Sequence, residues 1–374
     1  MLKVILTGGG TGGHVNPALA IADVIKTHEP DSEIIFIGTK KGIENRLVGK
    51  EGYGIRHVEA RGFDRANKLS PKNLIAAWYF LMSPVKAKKI IKDFSPDIVI
   101  GTGGYVSYAP IKAAAKLGIP TAVHESNAIP GLAVRLVQHD VDKILLNFES
   151  SMERLEAKEK VKVVGNPLRG SFGKFTKEEA RRELGINDDH KFVILSFGGS
   201  LGAPAINGAA LEIMNKFVKN RPDVLHIHAT GKERYAEFEE EFKELGLDKY
   251  ENIKVSDYVY DMPKKLAAAD LVISRAGAMT VTEMARMKKP CIMIPSPYVA
   301  ENHQYKNAKV LADANAVVLI EEKELENVGI ARKTEELLED KARLASMSQN
   351  ISAFAGENSC ELIYREIKKL IDKK

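Results

Sequence analysis

The sequence predicts an α/β protein built as two doubly wound domains, each a parallel sheet with helices on both faces, the two facing each other across a cleft. One observation is a unit that recurs four times: an apolar strand, a glycine-bearing loop, then a helical stretch. Another is the alternation of strand-like and helix-like segments between these units, which dictates parallel pairing with right-handed crossovers. A third is that the alternation stops at Val161-Lys162-Val163-Val164-Gly165-Asn166-Pro167 and then restarts. The chain of 374 residues has length enough for two cores. The expected division is 1–165, 166–350, and a terminal helix over 351–374 that returns to the first domain.

Leu2 to Leu6 reads as a buried strand, and it feeds Thr7-Gly8-Gly9-Gly10-Thr11-Gly12-Gly13-His14. Pro17 suits the first turn of a helix that opens there. Gly8-x-Gly10-x-x-Gly13 matches the dinucleotide fingerprint, which also needs an acid at the end of the second strand to hold a ribose. The second strand, Ile34 to Ile37, ends instead in Gly38-Thr39-Lys40-Lys41, which argues against a nicotinamide cofactor. His14 is a candidate general base, since an imidazole can take a hydroxyl proton near neutral pH. The alternative is a histidine that only hydrogen-bonds the loop.

Residues 61–92 hold eight basic side chains and one acid, around Trp78-Tyr79-Phe80. Leu74, Ile75, Trp78, Leu81, Met82 and Val85 fall on one helical stripe, and Pro84 should end or bend the helix. The plain reading is a core-facing helix with a solvated basic face. The sharper reading is a patch, with Lys86, Lys88 and Lys89, that meets an anionic membrane surface. Asp97–Ile100 then leads into Gly101-Thr102-Gly103-Gly104, and Thr121–His124 is a further strand. Asp140-Val141-Asp142 spells an acid-x-acid pattern but precedes a strand and reads as a turn, so no metal site is expected.

In the second half, Phe192–Leu195 leads into Ser196-Phe197-Gly198-Gly199-Ser200-Leu201-Gly202-Ala203. The most informative stretch begins at Leu271. A strand runs into Ser274-Arg275-Ala276-Gly277-Ala278, and a helix starts near Met279 or Thr280. Its first N–H groups and its dipole make a seat for a diphosphate. Glu283, one turn in, suits ribose hydroxyls. The competing reading is that Thr280-x-x-Glu283 is a capping box, which needs no ligand. Asn302, Gln304 and Asn307 follow on a second expected helix and offer amides.

Composition narrows the classes. Hydrophobic residues make up 44% and charged ones 28%, an ordinary globular balance. The net charge of +5 is concentrated early: residues 1–165 carry 23 Lys and Arg against 17 Asp and Glu. That excess is too modest and too local for nucleic acid. Cys291 and Cys360 lack metal-ligand spacing, pointing to a reducing compartment and no zinc. The first residues lack a signal-peptide layout, and no apolar run is long enough to span a bilayer.

These residues resemble one family. The motifs are Gly9-Gly10-Thr11-Gly12-Gly13-His14-Val15-x-Pro17, Gly103-Gly104-Tyr105-Val106-Ser107, His124-Glu125-x-Asn127 with Gly131-Leu132, and Gly165-Asn166-Pro167-x-Arg169. Gly198-Gly199-Ser200-x-Gly202-Ala203, Tyr258-Val259-x-Asp261-Met262, Gly277-Ala278-x-Thr280-Val281-x-Glu283 and Gln304-Tyr305-x-Asn307-Ala308 follow in order. The chain is similar over nearly its whole length to the bacterial MurG family, which transfers N-acetylglucosamine from UDP to lipid I and so makes lipid II for peptidoglycan.

The resemblance implies two Rossmann-like domains in the GT-B arrangement, inversion at the sugar carbon, no cofactor and no catalytic metal. It makes Glu283 the ribose acceptor within a donor segment of Ala278, Met279, Thr280, Val281 and Thr282. It places Thr280 and Ser200 near the diphosphate, the backbone of Val259 at uracil, Gln304 and Asn127 at the sugar, and Arg169 along the donor site. Thr11, Gly12 and Gly13, with Gly103 and Gly104, approach the reacting sugar or the acceptor diphosphate. His14 is the candidate base, and Glu125 is a second possibility. The partners implied are UDP-N-acetylglucosamine, lipid I and the anionic inner leaflet at the cytoplasmic face of the membrane. Leu201, Ser126 and Tyr108-Ala109 depart from the family pattern. A glycolipid glycosyltransferase or a UDP-N-acetylglucosamine 2-epimerase is the neighbouring alternative.

Overall fold

A computed structural model describes every residue except 62–70, 200, 300, 301, 357 and 374. The chain forms two compact units: Met1–Arg169 with Gly356–Lys374, and Gly170–Ala355. The first division falls after Arg169 rather than Gly165, which moves Arg169 into the first unit. The return to the first unit begins at Gly356 rather than at 351.

In unit 1 the strands are β1 (Lys3–Thr7), β2 (Glu33–Gly38), β3 (Gly54–His57), β4 (Ile98–Gly101), β5 (Thr121–Glu125), β6 (Lys143–Leu146) and β7 (Val161–Val163). They form a sheet of order β3-β2-β1-β4-β5-β6-β7. Each pairing is parallel. Side chains alternate along a strand, so a strand covered on both faces is apolar throughout. Val4 and Leu6 enter one core with Val15, Leu19 and Ile363, whereas Ile5 enters the other with Ile91 and Ile111. The strand order reverses between β1 and β4, which is where open sheets of this class place ligands.

The helix after β1 spans Gly12–His28. It starts earlier than Pro17 led one to expect, so Gly12, Gly13 and His14 belong to its first turn. Pro17 lies inside it, where the helix forgoes one N–H bond. The helix Pro71–Phe94 likewise runs through Pro84 instead of stopping there. The Ser83 hydroxyl, next to that proline, donates to the Glu59 carbonyl. The terminal helix Ser359–Asp372 inserts Ile363 and Ile367 into unit 1. Its Tyr364 stacks on His28 and donates to Glu29.

Unit 2 holds β8 (Phe192–Phe197), β9 (Val224–Ala229), β10 (Ile253–Ser256), β11 (Leu271–Ser274), β12 (Cys291–Met293) and β13 (Val317–Leu319). Their order is β10-β9-β8-β11-β12-β13, again parallel at each pairing. The order reverses between β8 and β11. The loops Gly198–Ala203 and Arg275–Gly277 therefore leave neighbouring strands at the switch point of unit 2, as the β1 and β4 loops do in unit 1.

Candidate active site

In unit 1 the β1 and β4 loops interlock. Thr102 N–H donates to the Thr7 carbonyl at 2.8 Å, and its hydroxyl donates to the His14 carbonyl at 2.6 Å. The Thr102 carbonyl in turn lies 3.2 Å from His14 Nδ1. A carbonyl can only accept, so Nδ1 carries the proton and Nε2 of the neutral ring keeps its lone pair. That is the tautomer a general base needs. The ring rests on two glycines. A Cβ on Gly103 would lie 2.7 Å from Nδ1, and one on Gly104 would lie 2.2 Å from the Gly9 carbonyl. Both have positive φ, 96° and 78°, which side chains resist. Thr11 is the exposed N-cap of the following helix and makes no side-chain cap, and Gly12 and Gly13 begin its first turn.

Glu125 has a different setting from the one expected of a base. It ends β5, is buried, and accepts three hydrogen bonds: from Asn127 N–H and Asn127 Nδ2 on one oxygen, and from Gly131 N–H on the other. Burial raises its pKa while those donors act in the opposite sense. The group holds the 125–131 turn in shape. Asn127 gives its backbone N–H and one of its two side-chain N–H groups to this carboxylate. His124 next door meets the Gly165 carbonyl at 2.9 Å, and burial depresses its pKa to about 4.

Arg169 closes the first segment of unit 1. Within unit 1 its guanidinium forms a bidentate pair with Glu51, at 2.7 Å for each bond, and a third bond to Asp23 at 2.8 Å. This geometry matches the fork of arginine to a carboxylate, and it anchors the end of unit 1. Asp140 and Asp142 serve structure: Asp140 pairs with Lys112, and Asp142 accepts from the Thr121 N–H and hydroxyl. Among the described residues no group of three or more His, Cys, Asp or Glu is disposed to hold a metal ion.

In unit 2 the helix after β11 spans Ala278–Arg286, with Gly277 as N-cap. Thr280 is thus the third helical residue and not the cap, so the capping-box reading fails. The N-cap has no side chain to satisfy the first turn, whose N–H groups lack intrahelical partners by geometry. Within Ala278–Glu283 the side chains of Ala278, Met279 and Val281 are buried in the fold. The Thr282 hydroxyl donates to the Ala278 carbonyl at 3.0 Å. Expected contacts at these four positions are therefore backbone contacts at most. Thr280 and Glu283 keep part of their side chains exposed. Although Glu283 as a residue is only part-buried, its carboxyl group is surrounded by protein, and this desolvation pushes its pKa up to about 8.

Two side chains, Arg275 and Asn307, brace this turn. Arg275 donates to the Ile294 carbonyl and to Glu322, each at 3.0 Å, tying the β11 turn to the segments after β12 and β13. Asn307 is fully buried and donates to the Ala276 carbonyl, so it supports the turn rather than facing a ligand. Gln304 accepts from Ser296 N–H at 2.9 Å and remains part-exposed. Val259 follows β10, with a buried side chain. Ser200 lies outside the described residues.

The exposed stretch of unit 1 is only partly as expected. Trp78, Met82 and Val85 are 61%, 44% and 63% exposed, so these three members of the stripe face outward. Lys86, Lys88 and Lys89 are exposed beside it and Tyr79 is part-buried. Phe80 departs from the patch: it stacks on Tyr108, with ring centroids 4.0 Å apart. Among the described residues no helix is long and apolar enough to cross a membrane.

Comparison with known proteins agrees with this geometry. Residues 4–146 match the glycosyltransferase family 28 N-terminal domain, and residues 193–361 match the family 28 C-terminal domain. A relative from Acetivibrio thermocellus, named UDP-N-acetylglucosamine–N-acetylmuramyl-(pentapeptide) pyrophosphoryl-undecaprenol N-acetylglucosamine transferase, is 42% identical over 373 residues, covering 100% of this chain and 99% of its own. The crystal structure of Acinetobacter baumannii MurG is 26% identical, with a TM-score of 0.74 across 99% of this chain and 100% of that one. A UDP-GlcNAc 2-epimerase from Neisseria meningitidis, solved with UDP-GlcNAc, shares the fold at a TM-score of 0.70, with 15% identity and coverage of 99% and 100%. Taken with the paired switch-point loops, the full-length identity shows that this chain belongs to the MurG family of N-acetylglucosaminyltransferases.

Proposed function

We propose that this chain transfers N-acetylglucosamine from UDP-N-acetylglucosamine to the C4 hydroxyl of the muramyl sugar of lipid I, giving lipid II and UDP with inversion. The observation that carries this reading is the 42% identity, end to end, with a relative named for that reaction. The geometry supports it at both switch points. His14 Nε2 takes the proton as the acceptor hydroxyl oxygen bonds to the anomeric carbon. The carbon–oxygen bond to the diphosphate breaks, and the charge that grows on UDP meets N–H donors of the helix that starts at Ala278. Glu283 receives the ribose hydroxyls. Gly12, Gly13, Gly103 and Gly104 leave room for the acceptor diphosphate against bare backbone. No cofactor enters the chemistry.

The acceptor's lipid tail stays in the bilayer, so the enzyme must work at its surface. Trp78, Met82 and Val85, exposed on one helix with Lys86, Lys88 and Lys89, suit the anionic inner leaflet at the cytoplasmic face. Leu132 and Leu136, exposed one turn apart on the helix Leu132–Val137, add a second apolar face in the same unit.

Labelled UDP-N-acetylglucosamine incubated with and without lipid I tests the reading. Label passing to lipid only when lipid I is present supports it. Isomerised sugar formed without an acceptor would support the epimerase alternative, and no transfer to lipid I would overturn the proposal.

A further inference from the structure

The sheet of unit 1 lacks an acid at the end of β2 in the sequence, yet one arrives there in space. Glu44 opens the helix Glu44–Lys50 and is 1% exposed. Its Oε1 accepts from both the N–H and the hydroxyl of Thr39, each at 2.8 Å. Its Oε2 accepts from Gly10 N–H, in the β1 loop, at 3.3 Å. The carboxylate lies in a cradle that only glycines leave open. A Cβ would fall 2.0 Å from Oε1 on Gly42, 2.6 Å from Cγ on Gly38 and 2.8 Å from Cδ on Gly9. Tyr105, from the β4 loop, bonds to the Thr39 side chain, and its ring lies 3.0 Å from where a Gly10 Cβ would be.

The β1 loop is thus held from two sides. On the β4 side Thr102 fixes its far end, at Thr7 and His14. On the β2 side Glu44 fixes its apex, at Gly10. The segment between them, Thr11 to His14, is the one that carries the base and the acceptor glycines.

We propose that Glu44 is a positioning residue for glycosyl transfer: through Gly10 it sets the glycine loop that aims His14 at the acceptor hydroxyl. This rests on the transferase reading above. A carboxylate is required because both oxygens must accept. In Glu44→Gln the amide oxygen can serve Thr39, but the NH2 then confronts Gly10 N–H, donor against donor. Gly42→Ala reaches the same end without touching Glu44, since its methyl takes the place of Oε1.

The test compares both variants with the wild-type enzyme for lipid I glycosylation, UDP-N-acetylglucosamine affinity, and amide exchange over residues 8–13. The expected result is faster exchange at Gly10 and kcat at least tenfold lower, with donor affinity within twofold of wild type because the donor seat lies in unit 2. Wild-type kcat in a folded Glu44→Gln or Gly42→Ala protein overturns the proposal, as does an equal loss of donor affinity, which would indicate general misfolding. Amide exchange separates the two readings: if the wild type fails to glycosylate lipid I, the transferase reading fails, while Gly10 protection still reports whether Glu44 holds the loop.

Discussion

Donor binding should expel a proton, and Glu283 should be its source. With a pKa of about 8 the free enzyme holds this carboxyl about 90% protonated at pH 7. Ribose hydroxyls that donate to it favour the charged form and return it toward the ordinary carboxylate range. Binding of UDP-N-acetylglucosamine at pH 7 should then release about 0.9 proton, falling to about 0.1 at pH 9. The apparent affinity should rise about tenfold between those pH values, as the deprotonated fraction does. Calorimetry in buffers of different ionisation enthalpy reads the release directly. Glu283→Gln should abolish both the release and the pH dependence. The same variant carries a stability signature. A carboxyl whose pKa is raised on folding destabilises the fold as pH climbs from about 4.5 toward 8, on the order of 3 kcal/mol by pH 7. The glutamine variant should therefore gain stability over wild type across that range. Proton release that is absent in the wild type, or equal in the variant, would refute the argument.

Three further outcomes are expected. Gly103→Ala puts a methyl 2.7 Å from His14 Nδ1 at a φ of 96°; it should lower kcat at least tenfold and leave UDP-N-acetylglucosamine affinity intact, and an unchanged kcat would separate the imidazole from the chemistry. In unit 2 the buried rings of His226 and His228 share the Ser196 hydroxyl at 2.7 Å each, and desolvation drives both pKa values down, that of His228 to about 3. Such groups give full stability above about pH 6.5 and lose it as pH falls, so unfolding of unit 2 at pH 5.5 should be easier by about 1.4 kcal/mol per ring; a flat denaturation profile between pH 7.5 and 5.5 would count against it. Reversing Lys86, Lys88 and Lys89 to glutamate should release the protein from vesicles containing anionic lipid while lipid-free donor binding persists, and undiminished vesicle binding would leave these lysines an ordinary solvated face.

What the sequence determined is the local chemistry. Apolar runs ending in glycine loops identified the strands of both switch points, because a strand buried on two faces has no polar alternation and a loop against a neighbour's backbone tolerates no side chain. His14, Gly103, Gly104 and Glu283 stood out for that reason as candidates: each sits in or beside such a loop. The tertiary structure decided what depends on partners distant along the chain. Thr102, 88 residues from His14, chooses the imidazole tautomer. Arg169 finds Glu51 and Asp23, Glu125 closes on its own turn, and Phe80 turns to Tyr108 while Trp78 remains outside. Glu44 reaches the end of β2 from a following helix, where no spacing rule would have sought it. A residue's type states which bonds it can make; packing brings together the atoms that make them, and pairings between separate strands and helices leave no periodicity to read.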